Sequence, residues 1–597
     1  MAPNEEQQKI DSTMMRHRLA IARGILPLTN PFVRQKPFKP LKQPRWFATK
    51  RQQRIAKQRG TLVATTTEPT SLVSPTLEEH RQWLKSQEFS LDKPPPFAAD
   101  PSGIVGRDLT DEIIDMKDLY DPRIHSATAP DWQAEGYEPS TPLTEELIAH
   151  IAVRGVPISV AEFMRQALTH PLHGYYTHPT NDDNIWDDDD DEDLDPVTPD
   201  RYILGSRGDF VTAPEISQVF GECLAIWFIT QWQVLNKPNS IQLIEVGPGR
   251  GTLICDILRC ILTFVPDCGA AIKDVHLIEA SQAMRDEQRR SLEALKVDDV
   301  GFVFDDNDDN REPVASDGEE QTNKIRVRWH DSFPSMVAKQ ASDDDDAKMP
   351  SFVVCQELLD ALPVHVFQRT ESGWRERLVD VAVKKDEDDD EEEEDTAEPD
   401  TLKTRLRATL ATGLTPACST LLNVDESGNM MNDQSSVGDV CEVCPEGIFL
   451  VQDIAKLIER NSGGALIIDY GQEGSKDSVR GFSKHKQVNF LSKPGEVDVT
   501  ADVDFAALRH AVNARERSDN DNTHAFGPVT QGEFLAAMGA LERVTALIED
   551  DETTEEQAQN LYDALERLVL PEHMGERYKV LAIGRKKEGI FAPPGFQ

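Results

Sequence analysis

The stretch IQLIEVGPGRGTLICDIL, residues 241–258, leaves the chain few folds to adopt. Its first six residues have the length and apolar character of a strand buried on both faces, with an acid, Glu245, near the end. Three glycines follow, Gly247, Gly249 and Gly251. Thr252 to Val265 then set Ile254, Ile257, Leu258, Ile261 and Val265 on one helical face. A strand that turns through glycines into a helix N-terminus points to a parallel α/β sheet, and such a turn cradles a nucleotide-like ligand. The spacing argues against two of the usual ligands. A dinucleotide fingerprint, GxGxxG, wants its third glycine at position 252, which is Thr252. A P-loop wants GK followed by Ser or Thr, and this turn has no such triplet.

The pattern that fits is acid-x-Gly-x-Gly-x-Gly, which resembles the first motif of class I S-adenosylmethionine methyltransferases. S-adenosyl-L-methionine has no phosphate; it carries a carboxylate, an ammonium, a sulfonium and a ribosyl adenine. Glycines permit positive φ and close backbone approach. The helix N-terminus at 251–253 suits the carboxylate, and Glu245 suits the cationic amino-acid end. A second acid, Glu279 in HLIEAS, stands where a carboxylate accepts from both ribose hydroxyls. Asp331 in RWHDSF stands where a polar group faces the adenine. Taken singly, an acid at a strand end is more often a helix cap or a solvated residue. The three acids in order on consecutive strands carry the cofactor reading.

Further strand candidates are DVHLIEA (274–280), IRVRWHD (325–331), SFVVCQ (351–356), GALIIDY (464–470) and YKVLAIGR (578–585), with a helix from Ser281 to Leu295 between the early ones. The expected fold is therefore α/β, a Rossmann-like doubly wound sheet of the class I methyltransferase type with additional helical elements. Residues 141–235 form its helical N-terminal part, with a helix capped by Ser159 and Glu162 as its capping-box partner. Residues 236–587 form the core. Hairpin strands such as WRERLVDVAV and a helix at 450–460 interrupt it, and further helices occupy 500–570.

A large part of the net charge of −43 sits in four acidic tracts, at 182–195, 305–309, 343–346 and 386–395, which repel themselves and read as disordered insertions. The charge thus describes the insertions more than a partner, and it argues against nucleic acid. No apolar run approaches the roughly 20 residues of a membrane span. The Cys441-Glu-Val-Cys444 pair has no second pair at zinc-site spacing, so no metal is expected. Residues 1–60 differ in kind: between Asp11 and Glu68 no acid appears while arginines and lysines recur. That composition, with Arg45 three residues before Ala48, matches a mitochondrial transit peptide, the alternative being a basic tail for an anionic partner. Residues 61–140 read as a linker.

Methyl transfer needs an aligned acceptor and little else, because the sulfonium is already activated. Acceptor groups are sought at the end of the fourth strand, where CQELLDALPVHVF offers Gln356, Glu357, Asp360 and His365. Glu357 and Asp360 are three residues apart and share a face on a helical turn. Such a pair can grip a guanidinium and draw its charge toward one nitrogen; the plain alternative is one capping acid and one solvated acid. Asp469 and Tyr470 end another strand and can close the pocket. Asp209 and Glu215 can reach over it as a lid.

In these segments the chain resembles the MidA-like mitochondrial methyltransferases that act as complex I assembly factors. The matching stretches include HPLHGYY, GDFVTAPEISQVFGE, EVGPGRGT, QELLDALPVHVFQ, LIIDYG, RGFSKHK and MGERYKVLAIGR, in order across roughly 143–585. The resemblance implies a matrix enzyme that methylates an arginine, to symmetric dimethylarginine, in a complex I matrix-arm subunit homologous to NADH dehydrogenase Fe–S subunit 2. It leaves room for a homodimer. The chain departs from the family pattern at Ala213, Gln356 and Gln472. Two other readings stay open: a methyltransferase for a different acceptor, and an assembly chaperone that keeps the fold without the activity. A reporter fused to residues 1–60 should be imported into mitochondria; a reporter left in the cytosol would favour the basic-tail reading.

Overall fold

The computed structural model describes residues 137–177, 212–297, 300–305, 323–342, 348–382, 403–430, 433–484, 486–515, 521–550, 553–586 and 592–596. The 1–60 segment, nearly all of the linker, Asp209, the 182–195 tract and the other acidic insertions beyond Asp305 lie outside the described residues.

The core is a mixed sheet whose main strands, numbered in chain order, are β1 (Ile241–Val246), β2 (Ile272–Ile278), β3 (Val300–Asp305), β4 (Asn323–His330), β5 (Ser351–Gln356), β6 (Gly463–Gln472), β7 (Thr523–Thr530) and β8 (Tyr578–Arg585). Their spatial order is β7-β8-β6-β5-β1-β2-β4-β3. All run parallel except β8, which is antiparallel to both neighbours. Every residue of β1 and β5 is buried, which is why both read as short apolar runs.

Two strands differ from the sequence expectation. β3 runs straight into an acidic tract that masks it, and it lies at the sheet edge, only partly buried. β7 falls where only helices were expected. It carries Gly527-Pro528, which reads as a breaker, and it tolerates that pair as an edge strand with a register shift between Phe526 and Val529.

The principal helices, also in chain order, are α1 (Pro142–Arg154), α2 (Val160–Thr169), α3 (Ala213–Ile216), α4 (Gln218–Val234), α5 (Thr252–Phe264), α6 (Gln282–Ala294), α7 (Phe333–Ser342), α8 (Pro445–Asn461), α9 (Phe505–Ala514), α10 (Gln531–Ala537), α11 (Ala540–Ile548) and α12 (Glu555–Val569). Apolar residues of α4, α5, α10 and α12, among them Trp227, Ile257, Phe534 and Leu568, form one core layer. Those of α7, α8 and α9, such as Met336, Ile454 and Val512, form the other. The sheet is thus doubly wound. Among the described residues no helix is long and apolar enough to cross a membrane.

Between β5 and α8 the chain builds a small antiparallel sheet from His365–Thr370, Gly373–Val381, Leu406–Leu410 and Val440–Val443. Helices α1 and α2 pack on it through Leu143, Leu147, Phe163 and Met164. The 141–235 part therefore divides: α1 and α2 cover the insert, while α4 covers the main sheet. Ser159 caps α2 by accepting from Glu162 N at 3.0 Å, but the Glu162 carboxylate turns to Arg154 at 2.9 Å instead of completing a capping box.

The strand order fixes where a ligand can lie. β1 sits between β2 and β5; the chain winds one way from β1 to β2 and the other way from β5 to β6, which opens a crevice at the C-terminal ends of β1 and β5. At the other end of these strands α4 packs closely on Gly464, where a Cβ would come within 2.9 Å of the buried Trp227 ring. Gly464→Val should therefore destabilise the protein by about 1–3 kcal/mol through overpacking, read as a lower denaturant midpoint. An unchanged midpoint would show that α4 can move away from the sheet.

Candidate active site

The glycine turn has the backbone its sequence demands. Gly247, Gly249 and Gly251 have φ of 71°, 50° and 81°, a region that side chains other than glycine rarely occupy. A Cβ on Gly247 would meet Leu358 Cδ1 at 2.9 Å, so the turn after β1 lies directly against the turn after β5.

Glu245 is buried beneath the glycine turn. Its carboxylate accepts a backbone hydrogen bond from Ile254, while Oε2 makes no hydrogen bond within the described chain. Burial pushes its pKa up to about 8. A buried carboxylate oxygen with no partner suits a cationic ligand group. At the end of β2, Glu279 accepts from Ser281 N at 2.8 Å, and burial raises its pKa above the ordinary value. Asp331, after β4, is exposed and paired to Arg285, which also donates to the Glu279 carbonyl; the expected adenine-side acid and ribose-side acid thus share one arginine.

A residue not singled out from sequence ties these pieces together. Gln288 of α6 is fully buried. Its Nε2 donates to Gly249 O at 2.7 Å and to Glu279 Oε2 at 3.3 Å, while its Oε1 accepts from Trp329 Nε1 at 2.8 Å. The signal was there: Gln288 shares the inward face of its helix with Leu292, the other buried residue of α6. With the positive-φ turn, the N-terminus of α5 and no lysine for a phosphate, this donor set fits S-adenosyl-L-methionine.

On the acceptor side, Glu357 follows β5 with φ of 48°, an uncommon conformation for a residue with a side chain and one that tends to mark functional turns. Its Oε1 accepts from Ala213 N at 3.3 Å and from Gln356 Nε2 at 2.5 Å. Gln356 therefore holds Glu357, and Ala213 contributes through its main chain, which the family departure at its side chain does not touch. Burial, with Asp360 and Glu215 adding repulsion, raises the pKa of Glu357 to about 8. Asp360 is buried in the short turn Leu359–Ala361, accepts a hydrogen bond from the Tyr470 hydroxyl, and titrates above the ordinary carboxylate range because of burial. Asp360 is buried, whereas Glu357 is half-buried and accepts from the first N–H of α3.

Helix α3 spans the crevice: Ala213 N is bonded to Glu357, and Glu215 lies 4.0 Å from Arg250 of the glycine turn. Three expectations need correction. Asp469 does not close a pocket: it is fully buried, and its Oδ2 accepts from the backbone N–H groups of Leu358, Leu359 and Asp360 at 3.2, 2.9 and 3.4 Å. Tyr470 is buried beside it and supports Asp360 from behind. His365 is engaged in the small sheet, with Nδ1 2.7 Å from Glu376 and its ring stacked on Phe367. Cys441 and Cys444 have thiols pushed up to about 12 by burial, and Cys444 caps α8 by accepting from Gly447 N.

Residues 223–521 match the model of the family described as "Putative S-adenosyl-L-methionine-dependent methyltransferase". The mitochondrial protein arginine methyltransferase NDUFAF7 of Danio rerio is 34% identical over 449 residues, which cover 74% of this chain and 88% of that protein. The human protein of the same name is 34% identical over 450 residues, covering 74% and 84%. Among solved structures, a Burkholderia thailandensis protein bound to S-adenosyl-homocysteine has the same fold, with a TM-score of 0.53 at 21% identity, covering 77% of this chain and 97% of that one.

The buried acids give the ligand-free protein a definite pH response. In the unfolded chain the Glu245 carboxyl ionises near the ordinary 4.5, but in the fold it keeps its proton to about 8. Its stabilising contribution is therefore complete at low pH and is lost as pH rises through that window. Glu245→Gln should melt above wild type by a margin that grows from about pH 5 to about pH 8. A margin independent of pH would contradict the buried proton.

Proposed function

The chain belongs to the family of S-adenosyl-L-methionine-dependent methyltransferases, and from that premise we propose that it is a protein arginine methyltransferase. Its cofactor, S-adenosyl-L-methionine, supplies when bound an electrophilic methyl group on a sulfonium. The observation that carries the arginine reading is the closely spaced acids Glu357, half-buried, and Asp360, buried, which flank Leu358 where it packs against the glycine turn. Two carboxylates with raised pKa values favour a ligand that brings its own positive charge and several N–H donors, as a guanidinium does. An acceptor without charge would leave Glu357 protonated near neutrality and the Asp360 carboxylate without a cation to hold.

The residues divide the remaining tasks. Glu245, the glycine turn and the N-terminus of α5 would hold the amino-acid end of the cofactor, and Glu279, fixed by Gln288, its ribose. Helix α3, anchored at Glu357 and Arg250, excludes water from the crevice. Similarity to mitochondrial arginine methyltransferases over three quarters of the chain supports a protein substrate and a mitochondrial location for this chain too. The finer reading is a matrix enzyme that symmetrically dimethylates a complex I matrix-arm subunit homologous to NADH dehydrogenase Fe–S subunit 2, and so supports complex I assembly.

Glu357→Gln and Asp360→Asn should each reduce methyl transfer to arginine by roughly 100-fold or more while leaving S-adenosyl-L-methionine binding near wild type by calorimetry. Full transfer by either variant would remove the pair from the mechanism. A folded wild type that binds no S-adenosyl-L-methionine would favour an assembly chaperone. Mass spectrometry of the complex I subunit from cells with and without the protein tests the substrate: its arginine should lose symmetric dimethylation in their absence.

A further inference from the structure

The two acids of the pair have unlike surroundings. Glu357 faces the cofactor crevice. It is bonded to α3 through Ala213, its neighbour Leu358 packs on Gly247, and the groups holding its carboxylate are neutral, an amide from Gln356 and a backbone N–H. Asp360 is held from a different element, β6. Its carboxylate accepts from the Tyr470 hydroxyl, and the Arg480 guanidinium lies over the Tyr470 ring at 5.1 Å from the centroid. Arg480 is fixed by an ion pair with Asp502 at 2.8 Å and by donation to Ser478 O at 2.9 Å. Ala501 N, beside Asp502, donates to Asp360 O at 3.0 Å, so the same loop holds both the aspartate and its cation.

The geometry points to a division of labour: Tyr470 and Arg480 are positioning residues that keep Asp360 as the fixed anion anchoring the guanidinium, and Glu357 is the group that takes the departing proton. The charged and titratable groups felt by Asp360 from each packed element agree with this. From β5 and its turn come Cys355 and Glu357, and from β6 come Asp469 and Tyr470. Tyr176 after α2, whose hydroxyl donates to Asp498, and Tyr578 of β8 complete the ring. Arg480 brings a positive charge to Asp360, and the Arg577 guanidinium also lies over the Tyr470 ring, at 5.7 Å from the centroid. As the nitrogen–carbon bond forms and the carbon–sulfur bond breaks, its electron pair stays on sulfur. One N–H of the methylated nitrogen then breaks and its proton passes to a Glu357 oxygen, leaving a methylguanidinium of unchanged charge.

This division rests on arginine being the acceptor, and two measurements on the full chain separate the two ideas. The first is the melting temperature of the ligand-free protein from pH 5 to 9 for Tyr470→Phe, alone and combined with Asp360→Asn. Loss of the hydroxyl makes Asp360 hold its proton to higher pH. Tyr470→Phe should therefore lose stability with rising pH over a wider window than wild type, and Asp360→Asn should abolish that excess. The second is methyl transfer to an arginine peptide across the same range. Tyr470→Phe should be slowed roughly tenfold at the acid end and recover towards wild type at the alkaline end, whereas Glu357→Gln should stay slow at every pH. An equal loss at all pH values, with no excess slope that depends on Asp360, would overturn the assignment. If Tyr470→Phe does not fold, Arg480→Gln, altered at a partly exposed side chain, must show the same two shifts or the assignment falls. A wild type that methylates no arginine peptide would instead refute the arginine reading, and the melting comparison would still decide whether Tyr470 sets the state of Asp360.

Discussion

One oxygen atom organises the acceptor side of this protein. Asp469 Oδ2, buried at the end of β6, accepts from three consecutive backbone N–H groups, those of Leu358, Leu359 and Asp360. A turn leaving a parallel strand has backbone donors that the sheet cannot satisfy, and buried donors must find partners. Once Asp469 supplies that partner, Leu358 is pressed against Gly247, Glu357 is held at positive φ facing the crevice, and Asp360 is turned toward Tyr470. The cofactor turn and the acceptor turn are therefore fixed relative to one another by packing and hydrogen bonds alone.

Burying Glu357, Asp360 and Asp469 in one region has a cost: loss of solvation displaces all three acids upward, and charge repulsion adds to it at Glu357 and Asp469. The fold moderates it with neutral donors: backbone N–H groups, the Gln356 amide and the Tyr470 hydroxyl, with Arg480 set behind them. Such a site favours an incoming cation. The same reasoning holds on the cofactor side, where the second oxygen of Glu245 is buried without a hydrogen-bond partner among the described residues.

Much of this was legible in the chain. β1 and β5 agree with the sequence in type and bounds because strands buried on both faces leave uninterrupted apolar runs, and the glycine spacing named the cofactor class because backbone conformation limits which residues can stand there. The roles of Asp469, Tyr470 and His365 were not legible. An acid that ends a strand has the same sequence signature whether it lines a pocket or caps a neighbouring turn, and Asp469 meets its donors more than a hundred positions away in the chain. Gln288 was overlooked for a related reason: a glutamine on a helix is ordinarily solvated, and only the approach of Gly249, Glu279 and Trp329 makes it a junction.

By itself the sequence determined the elements, the doubly wound plan and the cofactor turn, because these follow from local periodicity and from the steric limits of single residues. The tertiary structure alone decided which acids face the crevice and which are spent on holding it together. That outcome depends on strand order: β6 lies beside β5, so the end of one strand supplies the partner for the turn after the other. Hydrogen bonding across neighbouring strands, unlike helical or strand periodicity, leaves no pattern along the chain.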